Sequence, residues 1–297
     1  MTENQTTPAG NDAGSVPSVV GVLGGGRMGA GIAHAFLTSG ADEVIVVERD
    51  PQAAEAAKER IEADLAKSLE RGKLDGNLDV WAERLTISLD KADFARCGLV
   101  VEAVPEIMDL KIESLTEVEQ HLPEDAWLAT NTSSLSVDEL AGHLQRPERF
   151  CGLHYFNPVP ASKLVEVVIG AKTGEELTAL STEWVTGLGK TPVVVKDAPG
   201  FASSRLGVAI ALEAIRMVEE GVASPEDIDN AMVLGYKFPV GPLALTDIVG
   251  LDVRLGIAEY LESQLGPRFA PPQLMRDMVS RGELGRKTGK GFFDYDQ

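Results

Sequence analysis

From residue 19 to residue 129 the chain alternates between short apolar runs and longer segments with helical spacing. Residues 19–23, 44–47, 99–101 and 127–129 are uninterrupted apolar stretches, and Leu85-Thr86-Ile87 is a further strand candidate. Strands apolar at every position are buried on both faces, the condition of a parallel sheet covered by helices on each side. Between them, residues 27–39 place Met28, Ile32, Ala35 and Phe36 on one helical face. Residues 51–71 form a long, charged, Ala-rich helix that Pro51 suits as a first-turn residue. Ser136-Val-Asp-Glu139 and Thr173-Gly-Glu-Glu176 read as capping boxes that open two more helices.

The pattern changes near Lys196-Asp197-Ala198-Pro199-Gly200. Beyond it no convincing strand occurs until the last few residues. Helical segments are expected at 206–220, after Ser224-Pro225, after Gly241-Pro242, at 251–265 and at 271–281. The expected layout is a loose tail (1–17), an α/β Rossmann-like domain with a mostly parallel sheet (18–198) and an all-α domain (199–297).

The net charge is −19, which argues against nucleic-acid binding, since phosphate neutralisation needs clustered Lys and Arg. Two cysteines, Cys97 and Cys151, make no disulfide framework and fit a reducing compartment. With four His and no close His/Cys pairing, no metal site is expected. No apolar run reaches the ~18–20 residues of a membrane span. The tail lacks the apolar centre of a signal peptide. The expectation is a cytoplasmic protein.

Gly24-Gly-Gly26-Arg-Met-Gly29 matches G-x-G-x-x-G, with a strand before it and a helix after it. The first Gly permits the turn, the second lets the backbone approach a pyrophosphate, and the third lets helix and strand pack closely. Glu48, at the end of the second strand, is placed to accept hydrogen bonds from both ribose hydroxyls of an adenosine and to repel a 2′-phosphate. NAD is the expected cofactor, with contacts at Gly24, Gly26, Met28, Gly29 and Glu48. Arg49 beside Glu48 would favour NADP instead.

Polar residues then concentrate between 130 and 166. Asn131-Thr132-Ser133-Ser134 follows a strand end, where open α/β sheets place ligands. Glu166 sits inside Leu164-Val165-Glu166-Val167-Val168, and a carboxylate there is expensive to bury without a partner. His154, in Gly152-Leu-His-Tyr-Phe-Asn-Pro158, is the natural partner. A His held by an acid serves as a general base near neutral pH.

These motifs resemble those of the L-3-hydroxyacyl-CoA dehydrogenase family, in particular the short bacterial 3-hydroxybutyryl-CoA dehydrogenases. The resemblance runs from about residue 18 to 295. It rests on residues 21–33, Val101-Glu-Ala-Val-Pro-Glu106 with Lys111, Asn131-Thr-Ser-Ser-Leu135, Gly152–Pro160, Leu164-Val-Glu-Val167, Asp197-Ala-Pro-Gly-Phe201, Gly241-Pro242 and Gly285–Phe292. It implies that His154 is the catalytic base, that Glu166 orients it, and that Ser133 contacts substrate and cofactor. Further cofactor contacts are implied at Glu106, Lys111, Asn131, Asn157 and Lys287. Ser204 stands where many members have Asn, so it is a weaker candidate for the fourth polar contact to the substrate. Arg71 and Lys73 are candidates for CoA phosphates, although acids interleave with the bases of this helix and a solvated face explains them equally well.

The resulting expectation is hydride transfer between NAD and a short-chain L-3-hydroxyacyl-CoA. The helical domain would close over the acyl chain, and the apolar face of the helix from Leu206 would make a homodimer. Two rival readings share the same residues. One is a free hydroxy-acid dehydrogenase of the L-gulonate type. The other is a nucleotide-binding protein without catalysis, against which the His154–Glu166 pair argues.

Overall fold

The computed structural model describes residues 16–295. The expected tail therefore falls outside the described residues up to residue 15. Val16, the first described residue, is buried at 7 % exposure in the main core.

The chain divides into two compact units, one up to Asp197 and one from Ala198 onward. The first unit runs β1 (Val19–Leu23), α1 (Arg27–Leu37), β2 (Glu43–Val47), α2 (Pro51–Glu70), α3 (Leu78–Ala82), β3 (Leu85–Ser88), β4 (Leu99–Glu102), α4 (Met108–His121), β5 (Trp127–Thr130), α5 (Val137–Ala141), β6 (Phe150–Tyr155), β7 (Leu164–Ile169), α6 (Glu175–Gly187) and β8 (Thr191–Lys196). Its eight-stranded sheet has the order β3-β2-β1-β4-β5-β6-β7-β8. Every neighbouring pair is parallel except β6–β7. This is the doubly wound, Rossmann-like arrangement that the continuously apolar strands imply, since Val44, Ile45, Val46, Leu99, Val100 and Val101 are fully buried.

Two local expectations need correction. The box at Thr173 does not form, because the N-cap of α6 is Gly174. The Thr173 hydroxyl instead donates to the Phe150 carbonyl and accepts from the Gly170 amide, fastening the loop to β6. The Ser136 cap does form, with the hydroxyl accepting from the Glu139 amide at 3.1 Å. Residues 191–196 make a strand absent from the sequence reading. Pro192 disguises it, and the strand tolerates that proline because β8 is the outermost of the sheet.

The second unit comprises α7 (Ser203–Glu219), α8 (Pro225–Asn230), α9 (Pro242–Val249), α10 (Leu251–Leu265) and α11 (Gln273–Ser280). Its core joins Val208, Leu212, Ile215, Ile228, Leu243, Leu261, Phe269 and Met275. Two buried acids organise it. Asp229 accepts from the amides of Leu243 and Ala244, both at 2.8 Å, and so caps α9. Asp247 accepts from the amides of Phe292 and Phe293 and from the Tyr295 hydroxyl, anchoring the C-terminal segment on α9. Among the described residues no helix is long and apolar enough to cross a membrane.

Candidate active site

Val47, Leu23, Glu102 and Thr130 lie in one row across the sheet and end β2, β1, β4 and β5. The loops leaving that row carry Glu48, the glycine turn, Glu106 and the Asn131–Ser134 segment. Strand β6 runs past the row to His154 and Tyr155. The topology thus gathers most of the candidate residues at the carboxyl end of the strands, where open α/β sheets bind ligands.

Each glycine of the turn has a separate geometric reason. Gly24 has φ 90°, a left-handed conformation. A Cβ at Gly29 would overlap the Gly24 carbonyl oxygen, so strand and helix close on each other only without a side chain there. Around Gly26 a Cβ would meet no heavy atom within 4 Å, so the backbone is bare on that side. Gly26 caps α1 without a side-chain hydrogen bond, and the first turn of the helix holds no acid. Its amides are aimed as a phosphate requires. Glu48 bends back onto the turn, with Oε1 accepting from the Gly25 amide at 2.6 Å and Oε2 from the Arg49 amide at 3.1 Å. The Arg49 guanidinium pairs with Asp50 instead. The site fits a dinucleotide with free ribose hydroxyls. Met28 lies half-buried in the first turn of α1.

His154 and Glu166 are direct cross-strand partners on antiparallel β6 and β7. Opposed residues share one face of a sheet, so the carboxylate meets the imidazole without bending either strand. Nδ1 and Oε2 are 2.8 Å apart, and the two residues are 6 % and 1 % exposed. The ring of Phe156 lies 4.4 Å from that of His154, centroid to centroid. Two positions back, on the same face, Gly152 faces Val168, where a Cβ would stand 2.8 Å from Val168 Cβ. The loop after β6 is pinned by Lys190, whose ammonium donates to the carbonyls of Val159 and Ser162 at 2.6 Å. Asn157 is exposed at the start of that loop.

The Asn131–Ser134 turn is built around one carboxylate. Glu106 Oε1 accepts from the Thr132 hydroxyl (2.6 Å), the Ser133 amide (2.8 Å) and hydroxyl (3.2 Å), and the Ser134 amide (3.0 Å) and hydroxyl (3.1 Å). Burial opposes ionisation of Glu106. The Lys111 charge and these donors outweigh it and hold its pKa below the ordinary carboxylate value. Lys111 lies 3.4 Å from Glu106 and 2.7 Å from Glu102, with the lysine and Glu102 at 1 % and 0 % exposure. Glu102 also accepts from the Val104 amide and the Thr130 hydroxyl, both at 2.6 Å. The resemblance places Lys111 at the cofactor. Here its ammonium lies among Glu102, Glu106 and the Val104 carbonyl. Asn131 Oδ1 accepts from the Tyr155 amide at 2.9 Å, tying this turn to the end of β6.

Glu102 went unassigned in the sequence reading, although an acid directly after Leu99-Val100-Val101 was a visible signal of a buried pair. Asp197 is a second omission. It accepts from the Ser136 hydroxyl and the Asp138 amide, which fixes α5 and the turn before it.

Four candidates remain to be placed. Arg71 and Lys73 are exposed just beyond the end of α2. Lys58 and Lys67 of that helix pair with Glu62 and Asp64. Ser204 and Lys287 belong to the second unit. Ser204 is in the first turn of α7, and the Lys287 ammonium contacts both Asp252 oxygens at 2.5 and 2.6 Å.

Comparison with known proteins bears on the whole chain. The family described as "3-hydroxyacyl-CoA dehydrogenase, NAD binding domain" matches residues 19–198, and "3-hydroxyacyl-CoA dehydrogenase, C-terminal domain" matches residues 200–295. A probable 3-hydroxybutyryl-CoA dehydrogenase of Deinococcus radiodurans is 43 % identical over 276 residues, which cover 93 % of this chain and 99 % of that protein. The 3-hydroxybutyryl-CoA dehydrogenase of Mycobacterium tuberculosis is 41 % identical over 280 residues, covering 93 % and 98 %. Among solved structures, the (S)-3-hydroxybutyryl-CoA dehydrogenase of Ralstonia eutropha superposes with a TM-score of 0.90 at 37 % identity, covering 95 % of this chain and all of that one.

Proposed function

The chain belongs to the 3-hydroxyacyl-CoA dehydrogenase family, and from that premise we propose how its residues divide the work. It is an NAD-dependent oxidoreductase that interconverts a 3-hydroxyacyl-CoA and the 3-ketoacyl-CoA. The one observation that carries the mechanistic reading is the buried 2.8 Å contact of His154 with Glu166.

His154 takes the proton of the 3-hydroxyl on the ring nitrogen turned away from Glu166. Glu166 fixes the tautomer and offsets the charge of the imidazolium. Bound NAD supplies the hydride acceptor for C3. The Ser133 hydroxyl, held in place through Glu106, positions the substrate oxygen. The glycine turn and the α1 N-terminus hold the pyrophosphate, and Glu48 holds the adenosine ribose. On the family pattern Ser204 is a candidate substrate contact and Lys287 a candidate cofactor contact, and 3-hydroxybutyryl-CoA is the preferred substrate. In the reverse direction His154 returns the proton to the substrate oxygen.

The chain works as a homodimer joined through its helical unit. Leu206, Ile248, Val249 and Val253 are exposed apolar residues of that unit and support this reading. Free, buried Cys97 and Cys151 support a reducing, cytoplasmic setting. Absorbance at 340 nm with NADH and acetoacetyl-CoA tests the activity. Consumption of NADH is expected. Consumption only with a free keto acid would move the protein to the hydroxy-acid class.

A further inference from the structure

Glu102 ends β4 with no exposed surface, and three donors converge on its carboxylate. Oε1 accepts from the Val104 amide at 2.6 Å and the Lys111 ammonium at 2.7 Å, and Oε2 accepts from the Thr130 hydroxyl at 2.6 Å. Two chains of contacts lead away from it. One passes through the Thr130 hydroxyl, which accepts from the Thr132 amide at 3.2 Å. The other passes through Lys111, 3.4 Å from Glu106 Oε2, to the donors gathered on Glu106 Oε1. Thr130, Thr132 and Lys111 are buried as deeply as Glu102 itself. The two chains meet where the Thr132 hydroxyl donates to Glu106 Oε1 at 2.6 Å. Ser133, the next residue, hangs from that junction by its amide at 2.8 Å and its hydroxyl at 3.2 Å. The hydroxyl contact is the longest of those on Oε1, so it is the one most readily given up.

We propose that Glu102 is a positioning residue of the reaction, which sets the Ser133 hydroxyl for the substrate oxygen through Thr130 on one side and Lys111 on the other. The inference rests on the reading of Ser133 as the group that positions that oxygen. The chemistry of the place requires an acid. A carboxylate accepts on both oxygens, whereas Gln offers one acceptor oxygen and sets an NH₂ group against the remaining donors. An apolar side chain would fill a buried place at less cost, so a carboxylate here serves the geometry of its partners. The Lys111 ammonium has three N–H groups, and Glu102, the Val104 carbonyl and Glu106 surround it. Without the charge of Glu102, Lys111 is drawn toward Glu106, which turns Oε1 away from the weakly held Ser133 hydroxyl. Loss of the Thr130 contact moves the same turn from its other end, through the Thr132 amide.

The test is a pair of double-mutant cycles. kcat and KM with NADH and acetoacetyl-CoA are measured for Glu102→Gln, Thr130→Val and Ser133→Ala, and for Ser133→Ala combined with each of the other two. Circular dichroism and melting temperature establish which variants fold. Ser133→Ala should lower kcat/KM by about tenfold or more. Glu102→Gln and Thr130→Val should each lower it by about fivefold or more, and in the same parameter, kcat or KM, as Ser133→Ala does. In the Ser133→Ala background each should cost about twofold or less, because the hydroxyl that they place is already gone. Losses that repeat in full in that background overturn the proposal and leave the proposed function standing. A folded Glu102→Gln variant with a lowered melting temperature and wild-type kinetics would make Glu102 a stabilising residue only, and also overturns it. If Glu102→Gln does not fold, the Thr130→Val cycle decides by the same criteria. Wild-type kinetics in Ser133→Ala would reject the reading of Ser133 itself, and this proposal with it.

Discussion

The Glu48 carboxylate, at the end of one strand, accepts a hydrogen bond from the Gly25 amide inside the glycine turn, 2.6 Å away. The residue proposed to read the ribose therefore also braces the glycine turn. NAD(H) should exceed NADP(H) in kcat/KM by at least tenfold, because a 2′-phosphate would meet this anion. In Glu48→Gln the preference should shrink and KM for NAD should rise. Equal wild-type values for the two cofactors would show that Arg49 overrides Glu48.

Loss of either dyad member should act on the chemical step. His154→Gln or Glu166→Gln is expected to lower kcat by about 10²–10⁴, the usual worth of general-base catalysis. The Kd for NADH, measured by fluorescence, should stay within about threefold. Near-wild-type turnover in either variant would remove the dyad from the mechanism.

The Glu102–Lys111 pair is a stability element as well as a support for the serine turn. Lys111→Met leaves the Glu102 carboxyl at 0 % exposure without its cation, and removing one partner of such a pair costs about 3–5 kcal/mol. Glu102→Gln/Lys111→Met should recover part of that loss in urea unfolding. An unchanged midpoint in the single variant would contradict the pairing.

Stability should fall as pH drops below neutrality, through His34. Burial holds its pKa below the ordinary histidine value of 6.5, while Nε2 contacts the Ser68 hydroxyl at 2.9 Å. The unfolded chain binds this proton more readily than the folded one. The stabilisation is therefore complete above pH 6.5 and declines below it until the folded-state pKa is reached. The limiting slope is about 1.4 kcal/mol per pH unit. His34→Gln should flatten the unfolding midpoint between pH 7.5 and 5.5. A profile identical to wild type would assign the acid sensitivity elsewhere.

Ser204→Ala should cost about tenfold or less in kcat/KM, since a neutral hydrogen bond contributes about 0.5–1.5 kcal/mol net. Ser204→Asn should be tolerated. A hundredfold loss in the alanine variant would place Ser204 beside His154 in importance.

The strands were legible because burial on both faces leaves a continuous apolar run, and the glycine turn because only glycine satisfies its three constraints. The partner of Glu166 was legible from cost alone: an acid among Val165, Val167 and Val168 must be neutralised. Other features depended on the chain returning to itself. Nothing in the spacing of Glu102 and Lys111 shows that α4 lies back against β4. The Thr173 hydroxyl fits a cap by sequence and is claimed by the Phe150 carbonyl only once β6 is beside it. β8 was hidden by Pro192, whose cost vanishes at the sheet edge.

The opposition of His154 and Glu166 across β6 and β7 makes activity a reporter of folding fidelity. A slip of one residue between these strands would set Val165 or Val167 against the imidazole and turn the carboxylate to the other side of the sheet. Such a chain would keep its helices, its bulk and its dinucleotide turn, and would pass a spectroscopic check. Specific activity per bound NADH is therefore the measurement that separates correctly folded material from a compact impostor in any preparation or variant of this enzyme.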